Sequence, residues 1–254
     1  MKSVYGPVSS WRLGRSLGID PVCSERKICS FDCVYCQLGH GIKTDKRQEF
    51  VSLEKLKEDL KLIAGASADV ITFSGTGEPT LAKNLGAMIE HVKTVSSLPV
   101  AILTNSSLFS DVDVHRALSR LDIVVAKLDA PNPSVFSAIN RPYEGIRFEK
   151  YLEGIKNFRK SYTGKFALQM MFIDINRDYA GEMAEIARVL EPDEIQINTP
   201  LRPCAVKPLS RAEIERIKEF FSAFRNVLSV YDAEKPEVKP IDIEEVRKRK
   251  RPEP

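Results

Sequence analysis

Cys29-x-x-x-Cys33-x-x-Cys36 places three thiols within eight residues, with Tyr35 immediately before the last. Three thiolates on one short loop can hold three irons of a four-iron cluster and leave the fourth iron without a protein ligand. An open iron is a place for a small molecule to bind and be reduced, whereas a closed electron-transfer cluster calls for a fourth cysteine. Cys23 lies six residues upstream, so Cys23, Cys29, Cys33 and Cys36 also supply four thiolates for a structural zinc ion. Zinc ribbons usually set two Cys-x-x-Cys knuckles well apart, unlike this spacing. The bacterial ferredoxin spacing does not fit either. Five cysteines, an odd count, in 254 residues with no apolar signal core after Met1 argue against a disulfide framework. The triplet favours the open cluster, and a four-cysteine zinc protein is the alternative.

Such a loop needs a scaffold, and the chain alternates strand and helix almost throughout. Strands are expected at Ser16 to Val22, Asp69 to Phe73, Pro99 to Leu103, Asp122 to Leu128, Lys165 to Phe172 and Glu194 to Asn198. Ser52 to Ala64 reads as a helix capped by Ser52, with Leu53, Leu56, Leu60 and Ile63 on one face. Further helices are expected at Leu81 to Val95, Val112 to Leu118, Pro133 to Ile139, Phe148 to Tyr162 and Tyr179 to Leu190. Ser210 and Glu213 form a capping box before the stripe Ile214, Ile217, Phe221, Phe224. Asn226 to Tyr231 reads as a last, edge strand. Six strands alternating with helices predict a parallel sheet. Val70-Ile71-Thr72-Phe73 and Ile123-Val124-Val125-Ala126 are nearly all apolar, as strands covered on both faces are. The expected organisation is one α/β domain over 1–232 and a charged extension over 233–254.

Ligands of parallel α/β sheets bind at the C-terminal ends of the strands. There the sequence places the cysteine loop, then Ser74-Gly75-Thr76-Gly77-Glu78-Pro79-Thr80, then Thr104-Asn105-Ser106-Ser107. Lys127-Leu128-Asp129-Ala130, Asp174-Ile175-Asn176 and Gln196-Ile197-Asn198-Thr199 follow. Singly, each residue serves as a cap or turn. Together they make a polar ring facing the cysteine loop. Glu78 is a carboxylate suited to an ammonium group, and two glycines in the same turn let backbone approach a ligand.

Bulk properties are those of an ordinary soluble protein: 43% apolar, 29% charged and net charge +3. No apolar run is long enough to span a bilayer, and a cytoplasmic, reducing location is expected. Arg247 to Arg251 is a block of five cations, read as a frayed, solvated tail in preference to an RNA-binding patch. Arg141, Arg202 and Lys207 fall near expected loops and would add to a basic rim.

The cysteine triplet with Tyr35, followed by Gly77-Glu78-Pro79 after the second strand, resembles the radical S-adenosylmethionine (SAM) superfamily. The resemblance runs over about Ser16 to Pro200. Four segments resemble more narrowly a group of small proteins, common in archaea, related to the enzyme that builds the tricyclic wyosine base of tRNA. They are Phe31 to Gly39, Lys127 to Ala130, Ile139-Asn140-Arg141-Pro142 and Asn198 to Pro203. The resemblance implies a partial barrel of six β/α units, a [4Fe–4S] cluster chelating SAM, and an electron donor of the flavodoxin or ferredoxin type. It implies Cys29, Cys33 and Cys36 as iron ligands and Tyr35 against the adenine. Gly77 and Glu78 would hold the methionine amino group, with Thr76 in place of the usual first glycine. Asn105, Lys127, Asp129 and Asn198 are further cofactor contacts by position. The usual glycine-containing signature of the fifth strand is not evident in Met171 to Asn176. Only Cys23 and Cys204 remain outside the triplet, too few for the second cluster usual in the wyosine enzyme. RNA, in particular tRNA, is the expected substrate class; a protein, including glycyl-radical activation, or a small molecule is the alternative.

Overall fold

Short apolar strands closed by polar turns, each followed by an amphipathic helix, can bury both kinds of element only by layering helices on a sheet. The computed structural model describes residues 1–62, 65–232 and 236–249, and shows that arrangement. In chain order come β1 (Val4–Ser10), β2 (Gly14–Ile19), β3 (Ile28–Cys29), β4 (Ile42–Lys43), α1 (Leu53–Lys61) and β5 (Val70–Phe73). Then follow α2 (Leu85–Val95), β6 (Val100–Thr104), α3 (Val112–Leu118), β7 (Ile123–Lys127), α4 (Pro133–Asn140) and α5 (Phe148–Ser161). The remainder is β8 (Lys165–Met171), α6 (Ala180–Leu190), β9 (Glu194–Asn198), α7 (Arg211–Glu219), β10 (Val227–Ser229) and α8 (Ile243–Arg247).

Eight strands form one curled sheet in the order β1-β2-β5-β6-β7-β8-β9-β10. All neighbours from β2 to β10 pair in parallel, as a partial barrel of β/α units requires. Leu85, Met88, Ile89 and Val92 of α2 are wholly buried, as are Ile155 and Phe158 of α5. On β9, Ile195 and Ile197 join this core, while Glu194, Gln196 and Asn198 alternate onto the other face.

The six expected strands and the edge strand are present. Besides the two-residue strands β3 and β4, the expectation missed two elements. β1 is antiparallel to β2 and forms the sheet edge, with its register broken between Tyr5 and Val8. Gly6-Pro7 sits in that break; proline belongs at an edge or a bulge, and it hid the strand. The second is α8, inside the supposed extension. Ile241 N–H bonds Gly6 O at 2.9 Å, and α8 packs against β1. The solvated-tail expectation is therefore corrected for 247–249. Arg247 and Lys248 pair with Glu244 and Glu245 at 2.6 Å each, and Arg249 is 5% exposed. Lys250 and Arg251 lie outside the described residues, as do Ile63 and Ala64 of the expected first helix. α2 begins at Leu85, not Leu81, because Pro79–Leu81 forms a separate 3₁₀ turn.

Candidate active site

The cysteine loop is fastened on both sides by backbone. Ile28 N–H donates to Thr76 O (3.3 Å), and Glu78 N–H donates to Ile28 O (3.0 Å). A Cβ on Gly77 would stand 1.9 Å from Ile28 O, so this contact requires glycine. On the other side, Asp32 N–H reaches Asn140 O (3.0 Å) and Val34 N–H reaches Ile139 O (2.9 Å), at the end of α4. Phe31 anchors the loop in the core edge-to-face against Phe136, 5.3 Å between centroids.

The three thiols are half-buried and reduced. Cys29 Sγ accepts from Phe31 N–H (3.4 Å) and Asn105 Nδ2 (3.5 Å), and Cys33 Sγ accepts from Asn140 Nδ2 (3.5 Å). Burial pushes the Cys33 thiol up to about 11, with Asp129 adding to the effect. Burial, reinforced by Glu78 and Cys33, raises Cys29 as well. Thiols of this kind give up protons when they ligate. N–H donors aimed at sulfur suit a thiolate-bound cluster, whose ligands are tuned by such hydrogen bonds. Among the described residues, no group of three His, Cys, Asp or Glu is placed to hold a single metal ion. Thiols that serve three different irons need no such convergence. Cys23, which a four-thiolate zinc site would need, instead donates to Lys2 O (3.2 Å) and has Arg249 Nη2 at 3.7 Å.

Beside the loop, Asp129 gathers the ends of three elements. Its Oδ2 accepts from Tyr35 Oη in a short bond and from Asn140 Nδ2 at 2.8 Å. Its Oδ1 accepts from Met171 N–H at 2.8 Å and has Lys127 Nζ at 3.5 Å. Lys127 Nζ also lies 4.9 Å from the centre of the Tyr35 ring. Burial and the Asp129 charge hold Tyr35 well above its ordinary range, so it is a neutral donor. Asn176 ties the same corner together, donating to Asp129 O and Met171 O, each at 2.8 Å. Asn198 ends β9 in register with Met171, one strand from this carboxylate.

Glu78 is 2% exposed and fully engaged by the protein itself. It accepts from Thr80 N–H (3.1 Å), Thr80 Oγ1 (2.7 Å), Thr104 Oγ1 (2.6 Å) and Asn105 N–H (2.7 Å). Burial nevertheless raises its carboxyl above the ordinary value. Its side chain locks two strand ends together, with both carboxylate oxygens bonded by Thr80, Thr104 and Asn105. Thr76 turns its hydroxyl and its N–H to Asp20, at 3.0 and 3.1 Å. Asn105 donates to Ser30 Oγ (2.8 Å) as well as to Cys29.

The candidate thiols and cofactor contacts therefore lie at one end of the sheet, most of them in two connected hydrogen-bond networks. Sequence reading missed three others there. Asn140 lies within a recognised segment, but its amide was given no role. Asp20 was counted as part of the first strand, although an aspartate at that position was itself a signal. Ser30 carried none.

The family model for the radical SAM superfamily matches residues 27–187. This chain belongs to the radical SAM superfamily. It is 42% identical over 211 residues to a UPF0026 protein of Synechocystis sp., covering 82% of this chain and 78% of that protein. A UPF0026 protein of Methanocaldococcus jannaschii is 36% identical over 236 residues, covering 90% and 73%. A GTP 3',8-cyclase of Peptoclostridium acidaminophilum is 30% identical over 129 residues, covering 50% and 38%. The fold is similar to that of Streptococcus suis SuiB bound to S-adenosylmethionine, with a TM-score of 0.66 at 13% identity. That match covers 85% of this chain and 50% of SuiB, so the chain spans half the length of SuiB. An archaeal TYW1 matches with a TM-score of 0.51 at 15% identity, over 84% of this chain and 72% of that one. The protein is a radical SAM enzyme, and its cofactors are SAM and a [4Fe–4S] cluster. Among the described residues, no helix is long and apolar enough to cross a membrane.

Proposed function

We propose that Cys29, Cys33 and Cys36 hold the cluster and that the radical formed from SAM modifies RNA, with tRNA as the substrate class. The observation that carries the first half is the backbone seam between Ile28-Cys29 and Thr76-Gly77-Glu78. It fixes the thiol loop against the Thr76-Gly77-Glu78 turn, with Thr76 O and Glu78 N–H both bonded to Ile28. Held there, a [4Fe–4S] cluster and SAM would supply the reductive cleavage of a sulfur–carbon bond, one electron giving methionine and a 5′-deoxyadenosyl radical. A flavodoxin- or ferredoxin-type donor restores that electron. The chain's own residues orient and shield. The carbonyls of Thr76 and Gly77 receive the amino group of SAM, and Glu78 keeps their turn in place. Lys127 meets the methionine carboxylate, and Tyr35, braced by Asp129, stands against the adenine. Asn105 and Asn198 close the rim.

RNA is supported by the four segments related to the wyosine enzyme and by exposed cations beside the thiol loop. Lys43, Arg141, Arg202 and Lys207 are all exposed. Lys43 Nζ bonds Pro142 O (3.3 Å), and Arg202 Nη1 bonds Gln37 Oε1 (2.9 Å). Both contacts put cations next to the cysteines.

The first test is anaerobic EPR of the reconstituted, dithionite-reduced protein with and without SAM. A [4Fe–4S] signal that changes on adding SAM is the expected result, and one indifferent to SAM sinks the reading. Release of 5′-deoxyadenosine should then rise when undermodified tRNA is added. The 30% identity to a GTP 3',8-cyclase favours a second reading, a small nucleotide substrate. Stimulation by a free nucleoside triphosphate and not by tRNA would select it.

A further inference from the structure

We propose that Arg249 is a positioning residue for the SAM-binding turn, acting from the C-terminal segment through Asp20. The proposal rests on the reading of Thr76-Gly77 as the turn that receives SAM.

Asp20 has no exposed surface, and its carboxylate lies under that turn. Oδ1 accepts from Val22 N–H (3.2 Å) and Cys23 N–H (2.8 Å). Oδ2 accepts from Thr76 N–H, Thr76 Oγ1 and Arg249 Nε, at 3.1, 3.0 and 3.1 Å. The carboxylate also shapes the residue before: Gly75 has φ +152, and a Cβ there would fall 2.1 Å from Asp20 Cγ. Thr76 in turn gives its carbonyl to Ile28, the residue before Cys29. A continuous path of hydrogen bonds thus runs from residue 249 to the thiol loop.

Arg249 is built into this place from several sides. Its Nη1 donates to Glu245 O (2.9 Å) and Glu245 Oε2 (3.1 Å), and its Nη2 to Lys2 O (2.5 Å). The guanidinium lies 4.3 Å from the centre of the Tyr5 ring, and Tyr5 Oη bonds Ser74 Oγ at 2.8 Å. One planar fork therefore ties α8, the N-terminus, β1 and the turn after β5. Lysine, a point charge, cannot make these contacts together.

The charges around Asp20 leave Arg249 as its counter-ion. Burial pushes the Asp20 carboxyl up, and Arg249 opposes this. Tyr5 and Cys23 face the same spot, both raised by burial and hence neutral. For Glu245, burial is outweighed by Lys248, Lys2 N–H and Arg249, so it stays anionic. More distant cations are the terminal amino group and Lys55, which face Cys23, and Arg202, which faces Tyr5. Without Arg249, a buried carboxylate would lack a partner and would be relieved by protonation or by opening the turn to water. Opening is favoured where Asp20 is ionised. SAM affinity of an Arg249 variant should then fall as pH rises, while that of the native protein stays flat.

The experiment measures SAM binding to reconstituted native protein and Arg249→Met at pH 6.5 and 8.5, with iron content and melting temperature alongside. The expected result is full iron content, a Kd weakened by at least about tenfold at pH 8.5, and a smaller loss at pH 6.5. Native Kd at both pH values overturns the proposal, even if the melting temperature falls. If Arg249→Met is not recovered folded, Asp20→Asn replaces it. The amide is uncharged and has one oxygen for donors that now use two, so its NH2 group must face either Thr76 and Arg249 or the N–H groups of Val22 and Cys23; SAM binding must weaken again, and a native Kd overturns the proposal. Native protein that takes up iron but does not bind SAM sinks the parent reading, and this one with it.

Discussion

At Asp129, Tyr35 Oη, Asn140 Nδ2 and Met171 N–H meet on one carboxylate that is 1% exposed, with Lys127 Nζ 3.5 Å away. Two of these four donors, Tyr35 and Lys127, are themselves candidate cofactor contacts, so the carboxylate fixes their relative positions. Asp129→Asn keeps the shape and removes the charge. The amide turns a donor toward groups that are donors themselves, and Lys127 loses its anion. A buried charge network broken on one side costs about 2–5 kcal/mol. We expect that loss in chemical unfolding of Asp129→Asn, together with at least about a tenfold drop in SAM cleavage. Tyr151→Phe is the contrast. Its hydroxyl donates to Lys127 O just below the same corner, and deleting one neutral hydrogen bond should cost about 1 kcal/mol. If Asp129→Asn is no worse than Tyr151→Phe, Asp129 does not organise the mouth.

At the scale of elements, the seam between β3 and the turn after β5 makes a sharper demand. Gly77 has an ordinary backbone, so only space forbids a side chain there. Gly77→Ala must push Ile28 and Cys29 away by more than an ångström, because a carbonyl oxygen of the backbone cannot swing aside. The reconstituted variant should lose iron during gel filtration and give no SAM-dependent change in EPR. Gly86→Ala, in α2, meets the end of the Arg120 side chain at 3.3 Å and Ala117 Cβ at an ordinary 3.6 Å, and gains up to about 1 kcal/mol of helix propensity. It should keep its cluster, and equal behaviour of the two variants would refute the role given to Gly77. The same elements show what could be read in advance. Glu194–Asn198 and Val112–Leu118 fall where apolar periodicity put them, and the capping box at Ser210 is formed. The cysteine triplet and Asp129 were legible because residue type and position at a strand end pointed the same way. β1 was not, because its Gly-Pro break is meaningful only once an edge is known. Nor was the pairing of Asp20 with Arg249: their separation of 229 residues leaves no local pattern, and a cation inside a basic run looks solvated.

For the whole molecule, a net charge of +3 is too small to drive RNA binding by a general field. Affinity must come from where the cations are. The terminal basic run contributes little of it among the described residues, since Arg247 and Lys248 are paired with acids and Arg249 is buried. Lys43, Arg141, Arg202 and Lys207 are exposed, and Lys43 and Arg202 bond Pro142 and Gln37 beside the thiol loop, where the proposed RNA would approach. Four phosphate contacts on a single-stranded loop give a slope of log K against log salt near about −3. We expect a slope of that size for tRNA, measured anaerobically on the reconstituted protein. Removing two cations, in Arg141→Gln with Arg202→Gln, should flatten it by about 1.4, at about 0.7 per lost contact. Neither substitution touches a thiol, so iron content and the SAM-dependent EPR change should stay as in the native protein. A native slope in the double variant would place the phosphates elsewhere. Binding indifferent to salt would remove RNA as the substrate, and a small nucleotide would then be the reading to pursue.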